Sequence, residues 1–287
     1  MTRRRGALLL PTLVLLASLL APPSPLAQTA KPQRIVSLNL CTDQLLLELV
    51  GRERIASISF LAADGEFSAV ADRAAGIPAN RGLAEEVIGF APDLVLAHKY
   101  ASRQSVEILK RLGYLVVEID LPADLAAVRT QIEAVAAAVG EPARGQAMIG
   151  AIESRLGALP QPVGARPTAA IYEPSGYAFG ANSLADAILR AAGFDNLAAR
   201  LGVGGYARLG LEALLSHPPD FLVIDDTAAD RRSMAQQFLD HPALRAQFPA
   251  GDRIAVPRRL WICGGTSVAE AATILSQARL RHAARTP

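Results

Sequence analysis

The stretch EEVIGFAPDLVLA at residues 85–97 recurs in altered form as EALLSHPPDFLVI at residues 212–224. Three matched pairs of residues lie 127 positions apart: Glu85 with Glu212, Pro92 with Pro219, and Asp93 with Asp220. Proline stops a helix, and a short apolar run bounded by turn residues is typical of a buried strand. The pattern therefore predicts a helix, a turn and a strand that occur twice, and with them an internal duplication.

Strand and helix patterns alternate around both copies. In the first half, the predicted strands are 34–38, 54–59, 93–97 and 114–119, with helices at 42–51 and 105–113. In the second half, the predicted strands are 168–172, 221–225 and 253–257, with helices at 183–193 and 266–283. Continuous apolar strands between helices are typical of parallel sheets covered on both faces. The predicted fold class is α/β, with two doubly wound, Rossmann-like lobes.

An Ala-rich segment, residues 122–162, separates the two halves and breaks at Gly140. Pro142 suits the first turn of a new helix, which we expect to span ~25 Å and join the lobes. The alternative is that both helices of this segment cover the first sheet. The predicted divisions are an N-terminal lobe at 32–140, an interlobe helix at 141–160 and a C-terminal lobe at 165–284. A helical connection predicts movements of only a few degrees between the lobes.

The first residues are typical of a secretory signal rather than of the fold. Arg3, Arg4 and Arg5 precede a short apolar run, and small residues follow it. This order predicts a signal peptide at 1–27, cleaved near Ala27 or Ala30, and a periplasmic protein.

Charge and motifs exclude several function classes. The chain has 29 Lys and Arg against 27 Asp and Glu, and removal of the three leader arginines leaves it nearly neutral. Without a basic stripe, nucleic acid is not an expected partner. No G-x-S-x-G, H-E-x-x-H, P-loop or G-x-G-x-x-G motif is present, so we expect a protein that is not an enzyme. A secreted α/β enzyme remains the minor alternative.

The combination of motifs resembles a known family. RIVSLNLCTDQLLLELVGRERIAS, two E-x6-PD motifs and the Ala-rich bridging helix together resemble the class III periplasmic substrate-binding proteins of ABC importers for cobalamin, ferric siderophores and haem. The resemblance covers about 34–280 and implies two lobes joined by one long helix, with the ligand in the cleft between them. It also implies that Glu85 and Glu212 contact arginines on a permease dimer, which is chemically reasonable for carboxylates.

Most candidate ligand-binding residues follow from the rule that ligands lie at the carboxyl ends of the strands in open α/β sheets. Tyr206 is added because it lies just ahead of Glu212, where we expect it to reach the rim of the cleft. The side chains selected in this way are mostly aromatic or polar: Asn39, Cys41, Thr42, Phe60, His98, Tyr100, Tyr177, Tyr206, Arg259, Trp261 and Cys263. Aromatic rings with a few charges suit a large, flat ligand. The four histidines do not cluster at strand ends, so we expect a metal chelate and no protein-bound metal or cofactor.

Cys41 and Cys263 are the only cysteines, and each follows a strand of a different predicted lobe. Three interpretations remain open: buried thiols, soft ligands to a metal complex, or a disulfide across the cleft.

The predicted function is capture of a metal chelate by a monomeric periplasmic protein and its delivery to an ABC permease. The alternative is a ligand-sensing receptor of the same fold without a permease.

Overall fold

Two β-sheets follow one another along the chain. The structure, a computed structural model, describes residues 31–225, 239 and 241–284, so the predicted signal peptide lies outside the described residues. The first sheet contains five strands: β1 (Ile35–Ser37), β2 (Ile55–Ser59), β3 (Ala79–Asn80), β4 (Leu94–His98) and β5 (Val116–Ile119). All are parallel, in the order β3-β2-β1-β4-β5, as the continuous apolar segments predict.

The second sheet is mixed rather than purely parallel. Its strands are β6 (Thr168–Glu173), β7 (Tyr177–Phe179), β8 (Asp195–Asn196), β9 (Tyr206–Arg208), β10 (Phe221–Ile224) and β11 (Arg253–Ala255). The order is β11-β10-β6-β7-β9, and β8 also pairs with β6. Strand β7 is antiparallel to β6, and β9 is antiparallel to β7. Only three residues separate β6 from β7, which is too short for the crossover that a parallel pair requires.

The longer helices begin and end within a few residues of the predicted bounds, and several short helices were not predicted. Those of the first half are α1 (Leu40–Leu49), α2 (Ala71–Ala74), α3 (Ala84–Gly89), α4 (Arg103–Arg111) and α5 (Leu125–Ala138). They are followed by α6 (Pro142–Gly157), α7 (Leu184–Ala191), α8 (Leu197–Arg200), α9 (Leu211–Ser216), α10 (Pro242–Gln247) and α11 (Ser267–Ala283). Within the part of the chain that is described, no helix is both long and apolar enough to cross a membrane.

Helix α6 connects the two halves and contacts both. It packs against α5 on the side of the first sheet and against α11 on the side of the second. One continuous apolar core includes Ile35 of β1, Ile132 of α5, Ile149 of α6, Ile171 of β6 and Leu275 of α11. Each sheet with its helices thus forms a lobe, but the two lobes share buried side chains.

Buried polar contacts fix the start of α6. The Arg54 guanidinium is buried and bonds to the Glu141 carboxylate at 2.7 Å and to the carbonyl oxygen of Val139 at 2.5 Å. Lys31 also contacts Glu141, at 3.0 Å. These bonds hold the turn between α5 and α6 against the residues that precede β1 and β2. They therefore set the direction of α6.

Candidate functional site

The carboxyl end of β1 leads directly into α1, and the polar residues there are used within the fold. Asn39 caps α1, with its side-chain oxygen accepting a hydrogen bond from the N–H of Thr42 at 3.0 Å. Thr42 is fully buried, and its hydroxyl lies 2.7 Å from the Ser37 hydroxyl and 2.9 Å from the Asn39 carbonyl. The prediction that Thr42 contacts ligand is therefore wrong, because ligand cannot reach it.

His98 ends β4 with an almost fully buried imidazole. Its Nδ1 accepts a hydrogen bond from the backbone N–H of Tyr100 at 3.2 Å, so the neutral ring carries its proton on Nε2. Nε2 is buried without a hydrogen-bond partner among the described residues. Burial lowers the pKa of His98, which keeps the ring neutral. The buried Nε2 therefore presents a donor rather than a lone pair suited to a metal.

Two exposed rings of the first lobe follow strand ends: Phe60 comes directly after β2, and Tyr100 comes two residues after the end of β4. The side chain of Tyr100 is 69% exposed and that of Phe60 is 51% exposed. The guanidinium of Arg81 lies 5.4 Å from the centre of the Phe60 ring. Both side chains are accessible to a ligand, so the roles of Phe60 and Tyr100 in binding stay predictions.

The second lobe presents a group of three rings, Tyr177, Phe179 and Tyr206, which we call the aromatic ledge. It is built by the antiparallel pair β7 and β9, in which Phe179 lies directly opposite Tyr206. Ring centres are 5.1 Å apart for Tyr177 and Tyr206, and 4.7 Å apart for Phe179 and Tyr206. Tyr206 is 54% exposed. Burial, with a contribution from nearby Glu173, raises the pKa of Tyr206 and so keeps its phenol neutral.

A charged cluster lies at the carboxyl ends of β6 and β10. Arg258 bonds to the carboxylates of Asp225 at 2.6 Å and Glu173 at 3.1 Å. Burial raises the pKa of Glu173. The Arg258 guanidinium also lies 5.8 Å from the centre of the Phe67 ring, which belongs to the first lobe. The neighbouring Arg259, the predicted ligand residue, is partly exposed.

Trp261, predicted to bind ligand, is a core residue. The side chain is 2% exposed and belongs to the core shared by the lobes. Its Nε1 is buried without a partner among the described residues. The ring nevertheless forms the inner wall of a cavity of about 280 Å³.

Both lobes line this cavity. The first lobe contributes the loop after β5, at residues 121–123, and the second contributes Phe179 and Tyr206 of the aromatic ledge. The aromatic ledge therefore lies beside a space that both lobes enclose. A groove of about 360 Å³ between α5 and α6 is larger, but it is lined by helix side chains away from the strand ends.

Cys41 and Cys263 form a disulfide, with Cα atoms 5.1 Å apart. Of the three interpretations that the sequence left open, the structure has the bridge. The prediction that these thiols bind ligand is wrong, since neither sulfur carries a free thiol group.

Glu85 and Glu212 occupy matching positions. Each is the second residue of a six-residue helix, α3 or α9, and each is exposed. In both helices the first turn favours a negative side chain, so position alone does not assign a role.

Sequence reasoning missed several residues of the site. Phe179 and the loop at 121–123 were not selected, although the alternation of Tyr177 and Phe179 around a small residue is a signal for a strand. Arg81 was also missed, because only the tertiary fold brings it over Phe60. No group of three or more His, Cys, Asp or Glu side chains within the described ranges could hold a metal ion.

The family model described as "Periplasmic binding protein" matches residues 35–253, most of both lobes. The chain belongs to the periplasmic binding protein family. The predicted resemblance is confirmed, and the family consists of binding proteins rather than enzymes.

Relatives of this periplasmic binding protein carry different ligands in their names. A cobalamin-binding protein of Halobacterium salinarum is 27% identical over 223 residues, which cover 75% of this chain and 59% of that protein. The chain thus spans well under two thirds of the length of this curated relative.

Solved structures confirm the two-lobed fold. The heme-binding protein RhuT from Roseiflexus sp. RS-1 aligns with a TM-score of 0.71 and 22% identity, covering 86% of this chain and 98% of that one. The vitamin B12-binding protein BtuF of Vibrio cholerae aligns with a TM-score of 0.64 and 14% identity, covering 88% and 98%.

Proposed function

We propose that this chain is the substrate-binding component of an ABC importer, and that it captures a metal chelate in a cleft between its lobes. The aromatic ledge beside a cavity lined by both lobes carries the proposal. Stacked rings bind the flat face of a large ligand at little conformational cost, since the rings are already ordered against each other. The metal is cargo that arrives inside the chelate, without a resident cofactor.

The ligand class is a corrinoid, a haem or a ferric siderophore. The named ligands of the relatives, cobalamin for one and heme and vitamin B12 for two structural neighbours, support this class. Cobalamin is the first chelate to test, because the Halobacterium salinarum relative, 27% identical, is named as a cobalamin-binding protein.

Glu85 and Glu212 are proposed to dock the protein on a permease dimer. Both carboxylates are exposed at matching sites of the two lobes, so each can accept two hydrogen bonds from an arginine. Exposed Leu83 and Ile88 flank Glu85 on the same helix region, and apolar contacts beside a charged pair are common at protein interfaces. The protein is further proposed to act as a monomer in the periplasm.

A binding screen tests this function. Purified protein is mixed with cyanocobalamin, haemin and ferrichrome, and the melting temperature is followed for each. Binding to the native state alone raises the melting temperature by mass action. A clear increase with one chelate supports the proposal, and an unchanged melting temperature with all three contradicts it. If a chelate binds to the protein but its uptake by cells does not depend on a permease, the result supports the ligand-sensing receptor instead.

A further inference from the structure

A disulfide joins the two lobes covalently, in addition to the chain connection through α6. Cys41 is the second residue of α1, directly after the central strand of the first sheet. Cys263 lies between the edge strand β11 of the second sheet and α11. The two residues are 222 positions apart and both are buried.

A second contact continues the junction along α1. The Thr266 hydroxyl donates to a carboxylate oxygen of Glu48 at 2.7 Å, two turns after Cys41. Segment 263–266 therefore lies alongside α1. The approach is close, because a Cβ on Gly264 would lie 2.8 Å from the Gln131 side-chain oxygen and 3.0 Å from Cγ of Pro122. The disulfide thus belongs to a packed seam between the lobes.

The seam borders the proposed ligand cleft. Leu40 is buried with the two cysteines, and Leu61 and Phe67 of the first lobe and Ile262 of the second pack against this apolar cluster. Ile262 and Trp261 also line the cavity beside the aromatic ledge. On the outer side of this apolar cluster, Arg258 of the second lobe lies over Phe67 of the first. The disulfide is therefore next to Ile262, a residue that lines the cavity between the lobes.

We propose that the Cys41–Cys263 disulfide is a positioning element of the binding site. By fixing the lobes beside the cleft, it holds the aromatic ledge and the loop at 121–123 at the separation that the ligand requires before the ligand arrives. The inference rests on the proposed function, because it assigns the disulfide a role at that same site. If only a fraction of the molecules has the competent separation, the apparent affinity falls by that fraction. A covalent link removes the other arrangements of the lobes.

The test is the double variant Cys41→Ala/Cys263→Ala, which leaves no unpaired thiol. Loss of a disulfide also lowers the free energy of unfolding. Leu94→Ala is the matched control, since it opens a cavity in the first lobe and costs a similar amount while leaving the link intact. Binding of cyanocobalamin, haemin and ferrichrome is measured at a temperature at which all variants are folded.

The expected result is an affinity about 10-fold weaker in the double variant, with faster dissociation and a larger radius of gyration without ligand. Leu94→Ala keeps the affinity of the unmodified chain. Equal affinity and equal dissociation rate in the double variant and the unmodified protein overturn the inference. So does an equal loss of affinity in Leu94→Ala, since that loss would follow from stability alone.

Two further measurements cover the cases in which the double variant does not fold or no chelate binds. If the double variant does not fold, Glu48→Ala/Thr266→Val loosens the same seam without touching the disulfide, and a smaller loss of affinity is expected. Unchanged affinity there overturns the inference. If the unmodified protein binds none of the three chelates, the proposed function fails by itself. The inference is then judged by small-angle scattering of the ligand-free double variant, where an unchanged radius of gyration refutes it.

Discussion

Asp93 and Asp220 make equivalent contacts in the two sheets. Asp93, just before β4, accepts hydrogen bonds from the backbone N–H groups of Gln33 at 2.6 Å and Arg34 at 2.9 Å, where β1 begins. Asp220, just before β10, accepts hydrogen bonds from the N–H of Thr168 at 2.7 Å and from its hydroxyl at 2.8 Å, where β6 begins. The repeated Pro-Asp pair therefore aligns two neighbouring parallel strands in each lobe.

Removal of either carboxylate is expected to destabilise the protein. Hydrogen bonds to a charged group contribute more than neutral ones, so Asp93→Ala and Asp220→Ala should each lower the free energy of unfolding by about 1 to 2 kcal/mol. The double variant should show the sum, because the two sites lie in different sheets. Urea denaturation measures the effect. Asp72→Ala, an exposed control, should change little, and an equally small change for Asp93→Ala would contradict this role.

Stability should depend on pH through Asp43. This carboxyl is fully buried against Ser37 and Ser59, and burial raises its pKa from 3.8 to about 7. In the unfolded chain it loses its proton near its ordinary pKa, so between about pH 4 and 7 the folded state holds more protons than the unfolded state. Stability from this group is therefore present at low pH and is lost as pH rises through that window.

Asp43→Asn tests this dependence because the amide keeps the size of the side chain and does not ionise. Melting temperatures of both proteins are measured from pH 4 to pH 8. The stability of the variant relative to the unmodified chain should improve as the pH rises. A constant difference across the range would show that Asp43 does not titrate there.

Tyr206→Ala tests the aromatic ledge. The ring is more than half exposed, so its loss should change the melting temperature little. Removal of an aromatic contact at the centre of a site commonly weakens binding by about 10-fold or more. Isothermal titration with the chelate found in the screen measures the affinity. Leu112→Ala removes an exposed apolar side chain elsewhere and should leave affinity unchanged.

The docking role separates uptake from binding. In cells that depend on this protein for the chelate, Glu85→Ala/Glu212→Ala should abolish uptake, while the purified variant keeps its affinity. Each single variant should retain part of the uptake, because one lobe can still engage. Glu270→Ala, an exposed glutamate of α11, is the control. A loss of ligand affinity in the double variant would place these glutamates in the binding site instead.

Elements with long, regular patterns could be predicted from the sequence. The run DLVLA, the helix after Pro142 and the C-terminal helix all lie within a few residues of the predicted bounds, since apolar spacing alone determines them. Strands β7 and β9 were not predicted: each has three residues, and the short alternation of Tyr177 and Phe179 is a weak signal without the partner strand.

The candidate site was less predictable than the fold. Tyr177 and Tyr206 were selected by their position in the chain, but their stacking depends on a pairing between distant strands. Thr42 and Trp261 were also selected because they follow strands, but both are buried. Residues after a strand can pack into the core as well as face a ligand. The cysteine pair depended on a distance between the lobes that no local pattern contains.

The most direct test of the central claim is a parallel calorimetric titration of the unmodified protein and Tyr206→Ala with cyanocobalamin, haemin and ferrichrome. Capture of a metal chelate against the aromatic ledge predicts one bound molecule of one chelate per chain, with clearly weaker binding to Tyr206→Ala. No binding of any chelate, or equal binding to both proteins, would contradict the account.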